Sequence, residues 1–232
     1  MTCELSLDVL DTADEVAKRA AQKIAALARE AIAARGKFLM AVSGGHTPWV
    51  MLRALAEEQI QWPAVRIFQV DERVAPEGDA DRNLTHLKES LLAPVQIFAM
   101  PVEDANLDRA AAEYAQTLQR ECGVPAVLDL VHLGLGPDGH TASLVPNDPV
   151  LNVRDKDVAV SGPYQNRRRL TLTYPAIDRA RQVLWVVTGA EKVQMLDRLM
   201  RGDESIPAGR VSRERSLVLV DAAAAGKNGR SA

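Results

Sequence analysis

Long apolar runs are missing from this chain of 232 residues, and no stretch approaches the ~20 residues that a membrane-spanning helix needs. Cysteine is almost missing as well. Cys3 and Cys122 stand far apart and match neither a CxxC pair nor a zinc spacing, which argues against a disulfide framework and for a reducing compartment. Met1-Thr2-Cys3-Glu4 has no basic start leading into an apolar core, so no secretory leader is read and a cytoplasmic location is expected. No block of lysine and arginine occurs and the formal net charge is -3, so neither a nucleic-acid nor a membrane partner is expected. The four histidines, at 46, 86, 132 and 140, show no HxxxH spacing, and no metal site is expected. No G-x-S-x-G elbow is present, which weakens a Ser–His–Asp hydrolase. No repeat or low-complexity linker divides the chain. One domain over residues 1–232 is expected, with 222–232 as a small, polar tail that frays.

What is present is an alternation of apolar strands and amphipathic helices, with glycine-rich or charged turns after most strands. Thr12-x-x-Glu15 reads as a capping box opening a helix that Gly36 ends, with Val16, Ala20, Ile24, Leu27 and Ala31 as its inner face. Strands are read at 38–42, 65–70, 95–100, 128–135, 158–160, 170–173, 183–187 and 217–220. Helices are read from 49 to about 58, 84 to 92 and 104 to 121, and a last one runs from the Thr188-x-x-Glu191 box to about Met200. This pattern predicts an α/β fold with a mostly parallel sheet covered by helices on both faces.

Four strand ends carry chemistry. Strand 38–42 runs into Ser43-Gly44-Gly45-His46-Thr47-Pro48, where two glycines allow close backbone approach, Thr47 can cap the next helix and Pro48 suits its first position. That is either an anion cradle at a helix N-terminus or a plain tight turn. Strand 65–70 ends in Asp71-Glu72-Arg73, three charges that are costly unless used or paired. A rim salt bridge is the alternative. Asn83 is placed to cap the helix that follows the next loop. Strand 128–135 breaks into Gly134-Leu135-Gly136-Pro137-Asp138-Gly139-His140-Thr141, in which an acid and a histidine share one turn. The glycines match a dinucleotide-binding spacing, but the motif is mid-chain and Pro146 cuts the following segment short, so that reading is set aside. His132, inside the strand, reads as a packed core histidine. Thr188-x-x-Glu191 reads as a second capping box, and Lys192 beside it reads as a cation near an anion or as a solvated lysine. Together these features suggest acid/base chemistry by His140 on a small phosphorylated substrate.

Ser43-Gly44-Gly45-x-Thr47-Pro48, Asp71-Glu72-Arg73 and Gly134-x-Gly136-x-Asp138-Gly139-His140-Thr141-Ala142-Ser143-Leu144 resemble the 6-phosphogluconolactonases, whose outline glucosamine-6-phosphate deaminases share. Arg169-Leu170-Thr171-Leu172-Thr173 and Thr188-Gly189-x-x-Lys192 continue the resemblance, which spans nearly the whole chain. It implies a Rossmann-like single domain of the sugar-phosphate isomerase/deaminase type. It also implies hydrolysis of 6-phospho-D-glucono-1,5-lactone, without metal or organic cofactor, by a monomer or small homo-oligomer. The implied catalytic residues are His140 as base and acid, Asp138 to orient it or hold a substrate hydroxyl, and Arg73 or backbone donors for the oxyanion. The implied substrate-binding residues are Ser43, Gly44, Gly45, Thr47, Asp71, Arg169 and Lys192. Similar deaminases carry a catalytic glutamate five residues after the histidine, where this chain has Val145. A deaminase or isomerase, and a non-catalytic sugar-phosphate binder, are the alternatives. Three departures from the lactonase pattern stand out: Gly162-Pro163-Tyr164-Gln165-Asn166 ahead of three arginines, Val145-Pro146-Asn147 after the histidine block, and Arg82-Asn83. The first leaves open which of Arg167, Arg168 and Arg169 faces the phosphate.

Overall fold

The computed structural model describes residues 5–227. Cys3 and the end of the expected tail, 228–232, lie outside them. The elements begin with β1 (Ser6–Leu10), α1 (Ala13–Arg35), β2 (Phe38–Val42), α2 (His46–Ala56), β3 (Val65–Gln69), β4 (Asp71–Arg73) and α3 (Asn83–Ser90). They continue with β5 (Gln96–Phe98), α4 (Leu107–Cys122), β6 (Leu130–Leu133), β7 (Val158–Tyr164), β8 (Arg167–Leu172), α5 (Tyr174–Asp178), β9 (Val183–Val187), α6 (Val193–Arg201) and β10 (Ser216–Asp221).

Local chemistry sets the best-defined boundaries. Thr12 Oγ1 accepts the Glu15 N–H at 3.2 Å and Glu15 Oε2 accepts the Thr12 N–H at 3.1 Å, which is the expected capping box of α1. Gly36, at φ 74°, ends that helix by donating its N–H to the Ile32 carbonyl. α4 starts three residues later than expected, because Asn106 caps it by accepting the Arg109 N–H at 3.0 Å.

Seven strands pair in parallel in the order β1-β10-β9-β6-β2-β3-β5. Strand alternation sorts their side chains onto two faces. Phe38, Met40 and Val42 of β2 pack with α1, α2 and α3, while Leu39 and Ala41 pack with α4, α5 and α6. The fold is therefore an α/β sandwich with helices on both faces, as expected.

The parallel sheet does not hold every strand. After Val70, Asp71–Arg73 leaves it and joins a second, antiparallel sheet in the order β4-β8-β7. β7 and β8 are longer than the segments read from sequence and form one hairpin, closed at Gln165 and Asn166, with φ 51° and 62°. β1 and α5 were not read from sequence; Ser6 and Leu7 of β1 are exposed on an edge strand, so the apolar signal there is weak. The tail does not fray from Ala222. Residues 222–226 form a turn in which Ala224 is buried and donates its N–H to Asp221 Oδ1 at 2.7 Å. Among the described residues, no helix is long and apolar enough to cross a membrane.

β2 and β6 are neighbours, but the chain leaves β2 toward β3 and β5 and leaves β6 toward β9 and β10. The loops at their C-terminal ends diverge, and ligands gather in the crevice at such a switch point.

Candidate active site

A cavity of about 510 Å³ opens at that crevice. All the residues expected in the site line it except Asp138, which bonds to the side chain of His140.

The loop after β6 is folded around His140. Gly136 N–H donates to the His140 carbonyl at 2.8 Å, and Gly139, at φ 83°, donates to the Gly136 carbonyl at 3.0 Å. A Cβ on Gly136 would lie 2.1 Å from His140 Nδ1, so this glycine makes room for the imidazole. The nucleotide-like glycine spacing therefore serves the histidine. Asp138 Oδ1 lies 2.5 Å from His140 Nδ1 and also accepts the His140 N–H at 3.1 Å. Partial burial works against the Asp138 carboxylate, but the His140 charge and the bonds from His140 and Tyr164 outweigh it and hold the carboxyl below its usual range. An ionised carboxylate has no proton to give, so the proton of this bond sits on Nδ1, and in the tautomer it selects the lone pair is on Nε2.

The turn after β2 departs from expectation in its cap. Gly45, at φ 131°, is the N-cap of α2, and no side chain caps that helix. Thr47 lies inside its first turn, and its hydroxyl pairs with that of Thr188 at 2.7 Å, joining two loops that border the cavity. The uncapped N–H groups at the start of α2 and the positive helix end favour an anion. Ser43 is committed to the neighbouring strand: its hydroxyl donates to the His132 carbonyl at 2.9 Å and its N–H to His132 Nδ1 at 3.3 Å. Gly44 packs so close to Asn83 that a Cβ would lie 2.0 Å from Asn83 Oδ1.

The three charges after β3 are all used. Asp71 Oδ2 accepts the Ser143 hydroxyl at 2.6 Å. Glu72, fully buried, accepts the N–H groups of Asn83 and Leu84, both at 2.8 Å, so Glu72 and not Asn83 caps α3. Arg73 Nη1 donates to Asn83 Oδ1 at 2.8 Å and to the Asp81 carbonyl at 2.9 Å.

Arg73 stands opposite Arg169 in the β4–β8 register. Arg169 is only 4% exposed, and its Nε has no hydrogen-bond partner among the described residues. Burial pulls its guanidinium below the usual arginine range; Asp71 opposes that pull and Arg73 adds to it. Two guanidiniums paired across strands repel each other, and an anion in the cavity relieves both. Arg167 is engaged elsewhere, with Asp79 at 3.3 Å and Asp81 at 3.1 Å, and Arg168 is exposed. Of the three arginines, Arg169 is the one that lines the cavity.

At the end of β9 the expected second capping box is absent. Thr188 is taken by Thr47, Gly189 holds the N-cap position at φ 101°, and Ala190–Lys192 make a short 3-10 turn before α6. Lys192 still lines the cavity, with Nζ 3.7 Å from Glu191 Oε1.

Sequence reasoning missed four neighbours of these residues. Asn83 links Gly44, Asp71 and Arg73. Ser143 holds Asp71, and Asp221 accepts the Gly189 N–H at 3.1 Å from the end of β10. Tyr164 donates its hydroxyl to Asp138 Oδ2 at 3.1 Å. Asp221 carried a legible signal, an acid at the end of an apolar strand like Asp71. Tyr164 did not, because its hairpin was not read. Among the described residues, no group of three or more His, Cys, Asp or Glu side chains is placed to hold a metal.

A family model described as glucosamine-6-phosphate isomerases/6-phosphogluconolactonase matches residues 11–220. A 6-phosphogluconolactonase of Mycobacterium tuberculosis is 37% identical over 241 residues, covering 96% of this chain and 98% of that protein. One of Synechocystis is 34% identical over 234 residues, covering 96% and 97%. The crystal structure of a 6-phosphogluconolactonase from Shewanella baltica superposes with a TM-score of 0.86 at 26% identity, covering 95% of this chain and 99% of that one.

Proposed function

This chain belongs to the glucosamine-6-phosphate isomerase/6-phosphogluconolactonase family, and from that premise we propose that it hydrolyses 6-phospho-D-glucono-1,5-lactone to 6-phosphogluconate, in the oxidative pentose phosphate pathway. The observation that carries this reading is the Asp138–His140 pair beside a cavity whose other walls supply N–H groups and cations.

In this reading the substrate phosphate sits against the N–H groups of the Gly44–Thr47 turn, with Arg169 and Lys192 as cationic partners. The lactone carbonyl then faces His140. Nε2 takes a proton from water as the water oxygen attacks C1, and the imidazolium returns a proton to the ring oxygen as the C1–O bond breaks. General base action of this kind contributes roughly 10²–10⁴-fold. Arg73 or backbone N–H groups stabilise the oxyanion. Asp138 holds the ring and supports the imidazolium between the two proton transfers. Asp71, fixed by Ser143, and the Ser43 turn complete the substrate surface.

Position 145 supports the lactonase over the deaminase. It is a buried valine that does not line the cavity, and an aldose–ketose rearrangement needs a further acid/base group where lactone hydrolysis does not. The test generates the lactone in situ, subtracts its spontaneous hydrolysis and compares wild type with His140→Ala. The variant should lose turnover by at least about 100-fold and still bind 6-phosphogluconate. Near-normal turnover in the variant would sink the assignment, ammonia release from glucosamine 6-phosphate would move it to the deaminase, and binding without turnover of either would leave a sugar-phosphate binder.

A further inference from the structure

Tyr164 sits where the β7–β8 hairpin meets the His140 loop, its hydroxyl and its ring make contacts of different kinds, and the hydroxyl also lies 3.5 Å from His140 Nδ1. Its hydroxyl donates to Asp138 Oδ2 at 3.1 Å, the carboxylate oxygen opposite the one that accepts His140 Nδ1. Its ring carries the Arg169 guanidinium, with Cζ 5.0 Å from the ring centroid, and meets the His140 ring edge-on at 5.3 Å. Arg169 is further tied to the same turn through Gln165 Oε1 at 3.1 Å. The hairpin has its own anchor: Gly162 N–H donates to Asp148 Oδ2 at 2.7 Å, and a Cβ at Gly162 would lie 2.9 Å from that oxygen. Burial first, and then the Asp138 charge, push the Tyr164 phenol above its usual range, so the hydroxyl stays a donor at neutral pH.

We propose that Tyr164 is a positioning residue that serves both ends of the substrate. Its hydroxyl fixes the carboxylate that orients the His140 imidazole, and its ring seats the arginine that meets the substrate anion. The two roles separate by substitution. Asp138 is a short, partly exposed side chain, and without the Tyr164 hydroxyl only the His140 loop holds it. A base whose ring wanders loses rate and leaves binding intact. An arginine that loses its aromatic seat weakens binding.

This proposal rests on the functional reading above. The experiment compares wild type, His140→Ala, Tyr164→Phe and Tyr164→Leu. It measures kcat and KM for the lactone, and Kd for 6-phosphogluconate by titration calorimetry. Tyr164→Phe keeps the ring and should lower kcat about tenfold with KM and Kd near wild type. Tyr164→Leu should lower kcat similarly and also raise KM and Kd about threefold. Melting temperatures within a few degrees of wild type establish that both variants fold. If Tyr164→Phe retains full kcat while His140→Ala is inactive, the proposal fails and the functional reading stands. If Tyr164→Phe loses product affinity as Tyr164→Leu does, the residue is merely structural and the proposal fails too. A wild-type chain without lactonase turnover would overturn the functional reading, and this proposal with it.

Discussion

Gly136 shows how one missing side chain can set the placement of a proposed catalytic group. The imidazole of His140 occupies the space that any Cβ at 136 would take. The backbone at 136 is not in the left-handed region, so alanine is acceptable to the chain itself, and the conflict lies only with the ring. With His140 as the proposed base, Gly136→Ala should therefore fold, melt close to wild type and turn over at least about 100-fold more slowly, because displacing a catalytic group by an ångström costs about that much. Steady-state kinetics beside a thermal melt checks this, and an alanine variant with wild-type kcat would show that the ring has room to spare. The same residue explains a misleading signal in the sequence. Gly134-x-Gly136-x-x-Gly139 fits the spacing of a phosphate-wrapping loop, yet Gly136 clears the ring and Gly139 supplies the φ of 83° that turns the loop. Spacing alone does not distinguish a glycine that admits a ligand from one that admits a side chain of its own loop.

At the scale of elements, the outlying helix α3 depends on a carboxylate from another element. Glu72 accepts N–H groups from Gln69, Arg73, Asn83 and Leu84 and lies 3.3 Å from Arg82 Nε, so it caps α3 and ties it to β4. Glu72→Gln would turn an amide NH₂ toward donors and leave the buried Arg82 without its full counter-charge. The cost should be about 3 kcal/mol, seen as a lower urea midpoint with an unchanged m-value, together with a raised KM, since Asn83 and Arg73 hang on the same turn. An unchanged midpoint would mean that the carboxylate contributes no net stability. This network also marks where the sequence stopped being legible. β2 and β9 match their expected bounds because each is an unbroken apolar run between turn signals, and α1 declares itself through its cap and its glycine. The pairing of Asp71 with Thr171 joins residues a hundred positions apart, and no local period encodes it. So Asp71, Arg73, Arg169, His140 and Lys192 could each be singled out, while the antiparallel sheet that brings Arg73 opposite Arg169, and the tyrosine beside them, could not.

For the molecule as a whole, pH should act through His132. It is fully buried in β6, and burial lowers its pKa from the ordinary 6.5 to about 4. Its Nδ1 accepts the Ser43 N–H, which only a neutral ring can do, and its Nε2 has no partner among the described residues. Well above pH 6.5 folded and unfolded chains both hold the ring neutral, and His132 contributes no pH dependence. Between 6.5 and about 4 the unfolded chain binds the proton and the folded one does not, so stability falls as pH falls through that window. The full effect is about 3 kcal/mol, reached near pH 4. Carboxylates also titrate near the lower end of this range, so wild type alone does not isolate the histidine. His132→Leu removes the titrating ring while leaving the carboxylates in place. Urea midpoints should therefore fall more steeply in wild type than in the variant between pH 6.5 and 4.5, whatever the variant's stability at pH 7.5. Parallel curves would mean that the ring accepts its proton within the fold. The location gives the effect a functional edge: protonation removes the acceptor of Ser43 N–H, at the junction of β2 and β6 where the turn proposed to hold the substrate phosphate begins. Acid should therefore loosen that junction directly, and 6-phosphogluconate, by binding the folded state, should shift the acid limb of the stability curve to lower pH.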